Sequence, residues 1–70
     1  MPSKYPVLRP QEIIHKLENV GFEFISQKGS HRKYSNGYDV VIIPMHPEVA
    51  KGTLKSILQQ AELSLEELLT

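Results

Sequence analysis

The chain has no cysteine and no long apolar run, and these absences exclude several classes of protein. Without cysteine, its 70 residues cannot be held together by disulfides or by a thiolate metal site. No apolar segment approaches the roughly 18 residues of a membrane span, and the start lacks the basic-then-apolar order of a signal peptide. We therefore expect a cytoplasmic protein that folds as one domain over residues 1–70, with an economical core.

Net charge is also absent, because eight Lys and Arg balance eight Asp and Glu. A protein that coats nucleic acid is normally strongly basic, so this balance argues against such a role. The charges are unevenly placed, however, since the segment from Lys28 to Tyr34 holds three basic residues, one histidine and no acid. Such a patch suits a site that binds a few phosphates, although the solvated face of an ordinary strand can carry the same charges.

Hydrophobic spacing predicts a helix near the start of the chain. Residues 1–8 contain two prolines and show no periodicity, which predicts an extended lead-in. Apolar residues then recur at helical spacing from about 10 to 20. Pro10 fits the first turn of this helix, and Gly21 is placed to end it in a left-handed conformation.

A second apolar stripe predicts a helix from about Lys51 to Ala61. Ser64 and Glu67 have the spacing of a capping box, and Leu63 and Leu68 that of a hydrophobic staple. These signals predict a short last helix over about 65–69.

The middle of the chain predicts three antiparallel strands. Residues 22–27 alternate large and polar side chains, as a half-buried strand does, and Lys28-Gly29 turns the chain out of it. Residues 30–35 and 38–44 flank Asn36-Gly37, the strongest short signal for a hairpin with a two-residue loop.

A two-residue loop would pair Ser35 with Tyr38 and His31 with Ile42. The run from Val40 to Ile43 is apolar on both faces, so we expect both sides of the third strand to be covered. The resulting order is α-β-β-β-α with a short C-terminal helix and a three-stranded antiparallel sheet. This α+β arrangement matches double-stranded-RNA-binding-domain topology, an analogy that alone says little about function.

Among three histidines, His31 has the neighbours that phosphodiester cleavage requires. Histidine ordinarily titrates near pH 6.5 and can take or give a proton near neutrality. Neighbouring cations such as Lys28, Arg32 and Lys33 can stabilise the charge that builds up on phosphorus. Two uncharged residues before His31 can help: Gly29 lets the backbone approach a phosphate, and Ser30 offers a hydroxyl.

The other two histidines have plainer interpretations. His15 lies mid-helix and is most simply a partly exposed helix residue. His46 follows the third strand, where it can either pin the loop by donating to a carbonyl or serve as a second proton-transfer group. A metal site is a competing interpretation of the histidines, but His31 and His46 lack an obvious third ligand, so we predict no metal and no cofactor.

Familiar catalytic signatures are missing as well. The sequence has no glycine-rich nucleotide loop of known spacing, no G-x-S-x-G elbow and no H-E-x-x-H motif. Ser30 and His31 are adjacent in a strand and would point to opposite faces, so they cannot form a serine–histidine nucleophile pair.

Three blocks of sequence together resemble the HicA, or YcfA-like, toxin family, and they cover nearly the whole chain. Gly29-Ser30-His31 followed by Tyr34 is similar to the family's G-S-H-x-x-aromatic motif, and residues 41–46 resemble its apolar strand ending in Pro-x-His. The third block, Lys51-Gly52-Thr53-Leu54 with Ile57-Leu58 and Gln60-Ala61, resembles the family's second helix.

The chain departs from the family pattern at two positions. Met45 stands where an aromatic residue is more usual, which is a tolerable apolar exchange. Glu62 stands where glycine is common after the second helix, so we expect the turn before Ser64 to be built differently.

The resemblance implies a double-stranded-RNA-binding-domain-like fold and a toxin that cleaves mRNA without needing the ribosome, with His31 as the catalytic residue. It also implies a HicB-like antitoxin that binds the toxin and covers its active site.

We accordingly predict a metal-independent endoribonuclease in which His31 is general acid or base. Its expected partners are RNA and the antitoxin, with no membrane and no DNA binding by this chain alone. The RNA-binding residues are predicted to be Lys28, Gly29, Ser30, Arg32 and Lys33.

Two other functions stay open on the residues alone. A non-catalytic RNA-binding module of the same fold would bind duplex through 2′-hydroxyls and phosphates. A protein-interaction domain would recruit a partner through an exposed apolar strand face, and His31 would then merely cap a loop.

Overall fold

A computed structural model describes residues 6–69 and confirms the predicted order of helices and strands. The helices are α1 (Pro10–Asn19), α2 (Lys51–Ala61) and α3 (Leu65–Leu69), and the strands are β1 (Glu23–Lys28), β2 (His31–Ser35) and β3 (Val40–Pro44). The strands form one antiparallel sheet in the order β1-β2-β3, which is the expected α+β arrangement. No helix in residues 6–69 is long and apolar enough to cross a bilayer.

Most of the lead-in predicted for residues 1–8 lies outside the described residues. Leu8, which is within them, forms an isolated antiparallel bridge with Val49. The Val49 N–H donates to the Leu8 carbonyl at 2.8 Å, so the chain before α1 is joined to the loop before α2.

The core lies between the helices and one face of the sheet. The predicted apolar stripes of both long helices are buried, and Tyr34, Val41 and Ile43 supply the sheet's contribution. Leu68 of α3 is also buried, and Leu63 packs against the same cluster. The buried helix residues are Ile13, Ile14, Leu17, Leu54, Ile57, Leu58 and Ala61.

The end of α1 confirms the role predicted for Gly21. Its φ is 99°, and its N–H donates to the Glu18 carbonyl at 3.1 Å. The Phe22 N–H donates to the Leu17 carbonyl at 3.0 Å, which completes a Schellman motif. Leu17 and Phe22 are both buried, so this turn sends the chain from α1 into the sheet with an apolar contact beneath it.

The turn after α2 has the same form, although glycine is missing from it. The Glu62 N–H donates to the Gln59 carbonyl at 3.2 Å and the Leu63 N–H to the Leu58 carbonyl at 3.0 Å. Glu62 itself takes a φ of 55°, a conformation that costs an L-residue about 1–2 kcal/mol. The expectation of a differently built turn was therefore wrong. Glu62 takes the left-handed position that glycine occupies at Gly21, and the hydrogen bonds of the two turns are the same.

The predicted capping box is confirmed at the start of α3. The Ser64 N–H donates to Glu67 Oε1 at 2.9 Å, and the Glu67 N–H donates to Ser64 Oγ at 3.1 Å. Hydrogen bonds from the Ser64 backbone and side chain to the Glu67 carboxylate hold the pKa of Glu67 below its ordinary value, because they favour the charged form.

The hairpin between β2 and β3 was predicted with the wrong loop length. Ser35 pairs with Val40 rather than with Tyr38, so the loop has four residues and the register moves by two. Asn36 causes the difference, because its Oδ1 accepts from the Tyr38 N–H at 2.9 Å and the Asp39 N–H at 2.7 Å. A shift of two residues keeps every side chain on its predicted face.

Strand β1 was predicted to be half-buried, and this was wrong. All six of its residues are exposed, including Phe24 at 52% and Ile25 at 54%. Phe24 lies on the face that carries the core and contacts the Tyr34 ring edge-on, with 5.8 Å between ring centroids. The helices pack mainly against β3, so this edge strand stays open, and the pairing is interrupted at Ile25 by a β-bulge.

Strand β3 is covered on one face only, contrary to the expectation of two covered faces. Val41 and Ile43 are buried, whereas Val40 is 49% exposed and Ile42 is half-buried. Residues 6–69 form one helical layer, so nothing in that part of the chain covers the opposite side of the sheet. We call that side the open face; Lys33, Val40 and Ile42 lie on it, since β2 pairs Lys33 with Ile42.

Replacing Glu62 by glycine should raise the melting temperature by several degrees at pH 7. Asp39 shares a hydrogen bond with Glu62 and repels its charge, and both effects raise the pKa of Glu62 above its ordinary value. A raised carboxyl pKa destabilises the fold once the pH exceeds it, so the gain should be smaller at pH 4, where a larger fraction of Glu62 is protonated. Thermal unfolding followed by circular dichroism at both pH values measures this.

Glu62→Ala is the matched control, since it removes the repulsion from Asp39 but keeps a side chain in the left-handed conformation. It should lie between wild type and Glu62→Gly. Equal melting temperatures for the two variants would show that the backbone at Glu62 is not strained.

Candidate active site

His31 is the first residue of the central strand, and a tight turn sets it there. Gly29 and Ser30 are the only residues between the paired Lys28 and His31. Gly29 has a φ of 59°, as the first position of a two-residue hairpin loop requires. On its other side His31 pairs with Pro44 of β3, so its backbone is held between both neighbouring strands while its side chain is exposed.

A groove of about 620 Å³ runs past His31 on the open face. Its volume falls within the roughly 300–1,000 Å³ of small-molecule sites. Four of the predicted RNA-binding residues line it beside His31, namely Lys28, Gly29, Ser30 and Lys33, and Ser26 and Ile42 complete its wall. Strand alternation accounts for Lys33, two residues beyond His31, and cross-strand pairing accounts for Lys28.

A second groove begins at the same histidine and runs towards α2. His31, Ile42, Pro44 and His46 form its sheet side. Helix α2 supplies the other side with Gly52, Thr53, Ser56, Ile57 and Gln60. His31 therefore stands where the two grooves meet, and a ligand that spans both must pass its imidazole.

The second imidazole in this groove belongs to His46. Its ring centroid lies 6.4 Å from that of His31, with 66° between the ring planes. His46 is exposed, and its ring makes no hydrogen bond to a loop carbonyl among the described residues.

Backbone hydrogen bonds hold that loop instead. The Met45 N–H donates to the Ser30 carbonyl at 2.6 Å, which joins the residue before His46 to the residue before His31. At the far end of the loop, the bridge between Leu8 and Val49 fixes the chain before α2.

Gln60 fixes the α2 wall of the second groove, a role that its place in the third sequence block does not predict. Its Oε1 accepts from the Ile42 N–H at 2.8 Å, an edge-strand donor that faces away from β2. Its Nε2 donates to Ser56 Oγ at 3.3 Å. A long polar residue one turn beyond Ser56 was the only available signal, and it does not predict which strand it meets.

Arg32 is the one predicted RNA-binding residue that the structure separates from His31. It pairs with Ile43 on the core side of the sheet, and its Nε donates to Gln27 Oε1 at 3.0 Å. Gln27 in turn donates from Nε2 to the Gly29 carbonyl at 2.9 Å, so this pair braces the β1–β2 turn from behind. His15 lies exposed on α1 and lines neither groove.

The electrostatics of the two grooves favour an anion. Lys28 and Lys33 are the charged residues that line them, and no carboxylate among residues 6–69 does so. No three His, Cys, Asp or Glu side chains in the same part of the chain lie close enough together to hold a metal ion. Two imidazoles beside two ammonium groups can bind a phosphate and move protons next to it.

The sequence that forms these grooves also matches a known protein family. Residues 10–63 match the family described as "HicA toxin of bacterial toxin-antitoxin". The chain belongs to the HicA toxin family. It is therefore a toxin of a bacterial toxin–antitoxin system, and the resemblance predicted from its three sequence blocks is confirmed. All residues that line the two grooves fall within the matched segment. A search of curated proteins finds no significant match to the chain.

Proposed function

We propose that this HicA toxin is an endoribonuclease that cleaves mRNA independently of the ribosome, with His31 as general acid or base. The observation that carries the proposal is the exposed His31 side chain at the junction of two grooves, which Lys28 and Lys33 flank and which no carboxylate of residues 6–69 lines. A structural histidine would be expected to be buried or hydrogen-bonded, whereas this one is open to a polyanion.

The chemistry needs little beyond these groups. RNA carries its own nucleophile, the 2′-hydroxyl, so the toxin has to move protons and stabilise the charge on phosphorus. Proton transfer by a positioned histidine is worth about 10²–10⁴ in rate. Lys28 and Lys33 would stabilise the negative charge of the phosphorane. Because the nucleophile is part of the substrate, we propose that the toxin requires no metal or other cofactor and that DNA is not cleaved.

The shape of the site supports binding of a single strand. The β1–β2 turn at Gly29 and Ser30 carries no bulky side chain, so a phosphate can approach its backbone. Arg32 lies behind this turn, so it can contact only an RNA strand that bends round the edge of the sheet. We therefore expect Arg32 to be a weaker RNA contact than Lys33.

A HicB-like antitoxin is the proposed partner, and the open face is its proposed docking surface. A ribonuclease with an exposed site would damage its own host unless it were held inactive. The open face combines the cations Lys28 and Lys33 with the apolar side chains of Val40 and Ile42. An antitoxin segment with acidic and apolar residues fits that surface and would exclude RNA from His31.

His31→Ala should abolish growth arrest when the toxin is produced alone in a bacterial host, and it should slow RNA cleavage by at least about 100-fold. The side chain is exposed, so the free energy of unfolding should change by less than about 0.5 kcal/mol. Cleavage is measured in excess EDTA on a labelled RNA and on the same RNA with a 2′-O-methyl group at the cut site.

His15→Ala is the matched control, because it removes an exposed histidine outside both grooves. It should leave toxicity and cleavage unchanged. A folded His31→Ala protein that stays fully toxic would refute the role of His31. Activity that returns only with Mg²⁺ or Mn²⁺, or cleavage of the 2′-O-methyl RNA, would refute the metal-free mechanism.

Lys33→Ala should weaken RNA binding and flatten its salt dependence, because each phosphate neutralised adds about −0.7 to the log–log slope on a single strand. Binding titrations at several salt concentrations, carried out with the inactive His31→Ala protein, give the slope. Arg32→Ala is the paired comparison, and its change in slope should be smaller. An equal or larger change for Arg32 would mean that RNA crosses the core side of the sheet.

The antitoxin should compete with RNA and bury His31 in the complex. Its association rate should fall as salt rises, since the contact is between opposite charges. Stopped-flow binding of a purified HicB-like antitoxin, followed by a structure of the complex, tests both points. His31 left open to solvent, with the antitoxin on another face, would exclude inhibition by occlusion.

A further inference from the structure

Cleavage of RNA through its 2′-hydroxyl requires two proton transfers, and His31 by itself accounts for one. The attacking oxygen must lose a proton, and the leaving 5′-oxygen must gain one. These two oxygens lie on opposite sides of phosphorus in an in-line displacement. A single imidazole cannot stay within hydrogen-bond reach of both, which is about 3 Å for each.

We propose that His46 is the second catalytic residue and that it acts with His31 as a proton-transfer pair. The inference rests on the proposed ribonuclease function and extends it. One imidazole takes the proton from the 2′-oxygen, which attacks phosphorus while the bond from phosphorus to the 5′-oxygen breaks. The other imidazole gives its proton to that 5′-oxygen. The products are a 2′,3′-cyclic phosphate and a 5′-hydroxyl, and the pair gains no net proton.

The separation of the two rings suits this division of work. Their centroids lie 6.4 Å apart, which is too far for a direct hydrogen bond between the rings but close enough for both to reach groups on one phosphate. Both side chains are exposed and line the same groove. A phosphate that lies between them would meet one imidazole on each side.

The backbone ties the two histidines together independently of their side chains. The hydrogen bond from the Met45 N–H to the Ser30 carbonyl joins positions one residue before each histidine. Pro44 pairs with His31, and Pro47 follows His46, so prolines restrict the backbone on both sides of the second histidine. This arrangement restrains the backbone from which the two side chains extend before any substrate binds, and groups positioned in advance favour proton transfer.

No other described group in the grooves competes for the role. The titratable and charged residues near the two rings are Lys28 of β1, Lys33 of β2, and Arg9 and Glu48, which lie beside His46 in an adjoining depression. Helix α2 contributes only Gly52, Thr53, Ser56, Ile57 and Gln60 to the groove. Among these residue types, only histidine ordinarily exchanges its proton near neutral pH.

The decisive experiment compares two substrates. One is a short RNA that spans a site cut by the wild-type toxin, and the other is the same RNA with sulfur in place of the 5′-oxygen at that site. A thiolate leaves without being protonated, so the sulfur substrate no longer needs the general acid. His46→Ala and His31→Ala should each cleave the normal RNA at least about 100-fold more slowly than wild type. On the sulfur substrate, the cleavage rate of one variant, and only one, should return to within about tenfold of the wild-type rate on that same substrate.

The controls separate a chemical role from a structural one. His46→Gln should be as slow as His46→Ala, and both should keep the circular dichroism spectrum and the RNA affinity of wild type. His15→Ala should cleave both substrates at the wild-type rate. Loss of rate through a disturbed loop would not be restored by a better leaving group.

Three results would refute the proposal that His31 and His46 form a proton-transfer pair. His46→Ala that cleaves normal RNA within about threefold of wild type, beside an inactive His31→Ala, refutes the role of His46 and leaves the proposed function intact. Rescue of both variants, or of neither, also refutes it. A wild-type toxin that cleaves no RNA, or a fully active His31→Ala, refutes the proposed function itself.

Discussion

One hydrogen bond, from the Met45 N–H to the Ser30 carbonyl, organises the candidate site. It joins the β1–β2 turn to the chain that leaves β3, two segments separated by the whole of the second hairpin. The bond requires that the turn be complete at Ser30, which the left-handed Gly29 makes possible within two residues. This closure brings together the backbones of His31 and His46, whose side chains both line the second groove.

The sequence predicted those features that are encoded by neighbours in the chain. The bounds of both long helices, the left-handed Gly21 and the Ser64–Glu67 capping box depend on contacts within one or two turns, and they are present. The hairpin after Ser35 is equally local, yet its loop was predicted too short. A side-chain oxygen of Asn36 competes with the strand for two backbone amides, and the dipeptide signal alone does not show which partner wins.

Features that depend on layers or on distant pairing could not be predicted in this way. Alternation identifies the two faces of β1 and β3 but does not show whether anything covers them. Two long helices, α1 and α2, cover only the β3 side of one face.

The site also combines local features with features that depend on distant pairing. Alternation along β2 is local and explains why Lys33 lies beside His31 and Arg32 behind it, whereas the approach of His46 depends on the register of β3 and on a loop that closes through backbone bonds.

The open face gives a chain without net charge the local surface that the proposed RNA site needs. A second helical layer would bury Val40 and Ile42 and stabilise the fold, but it would also fill both grooves beside His31. Leaving the sheet uncovered keeps the imidazole accessible and leaves apolar surface next to it. Lys28 and Lys33 lie on this side, while Glu62, Glu66 and Glu67 follow the end of α2 and line neither groove. The proposed ribonuclease activity and the proposed docking of an antitoxin therefore both depend on one structural fact, the single helical layer.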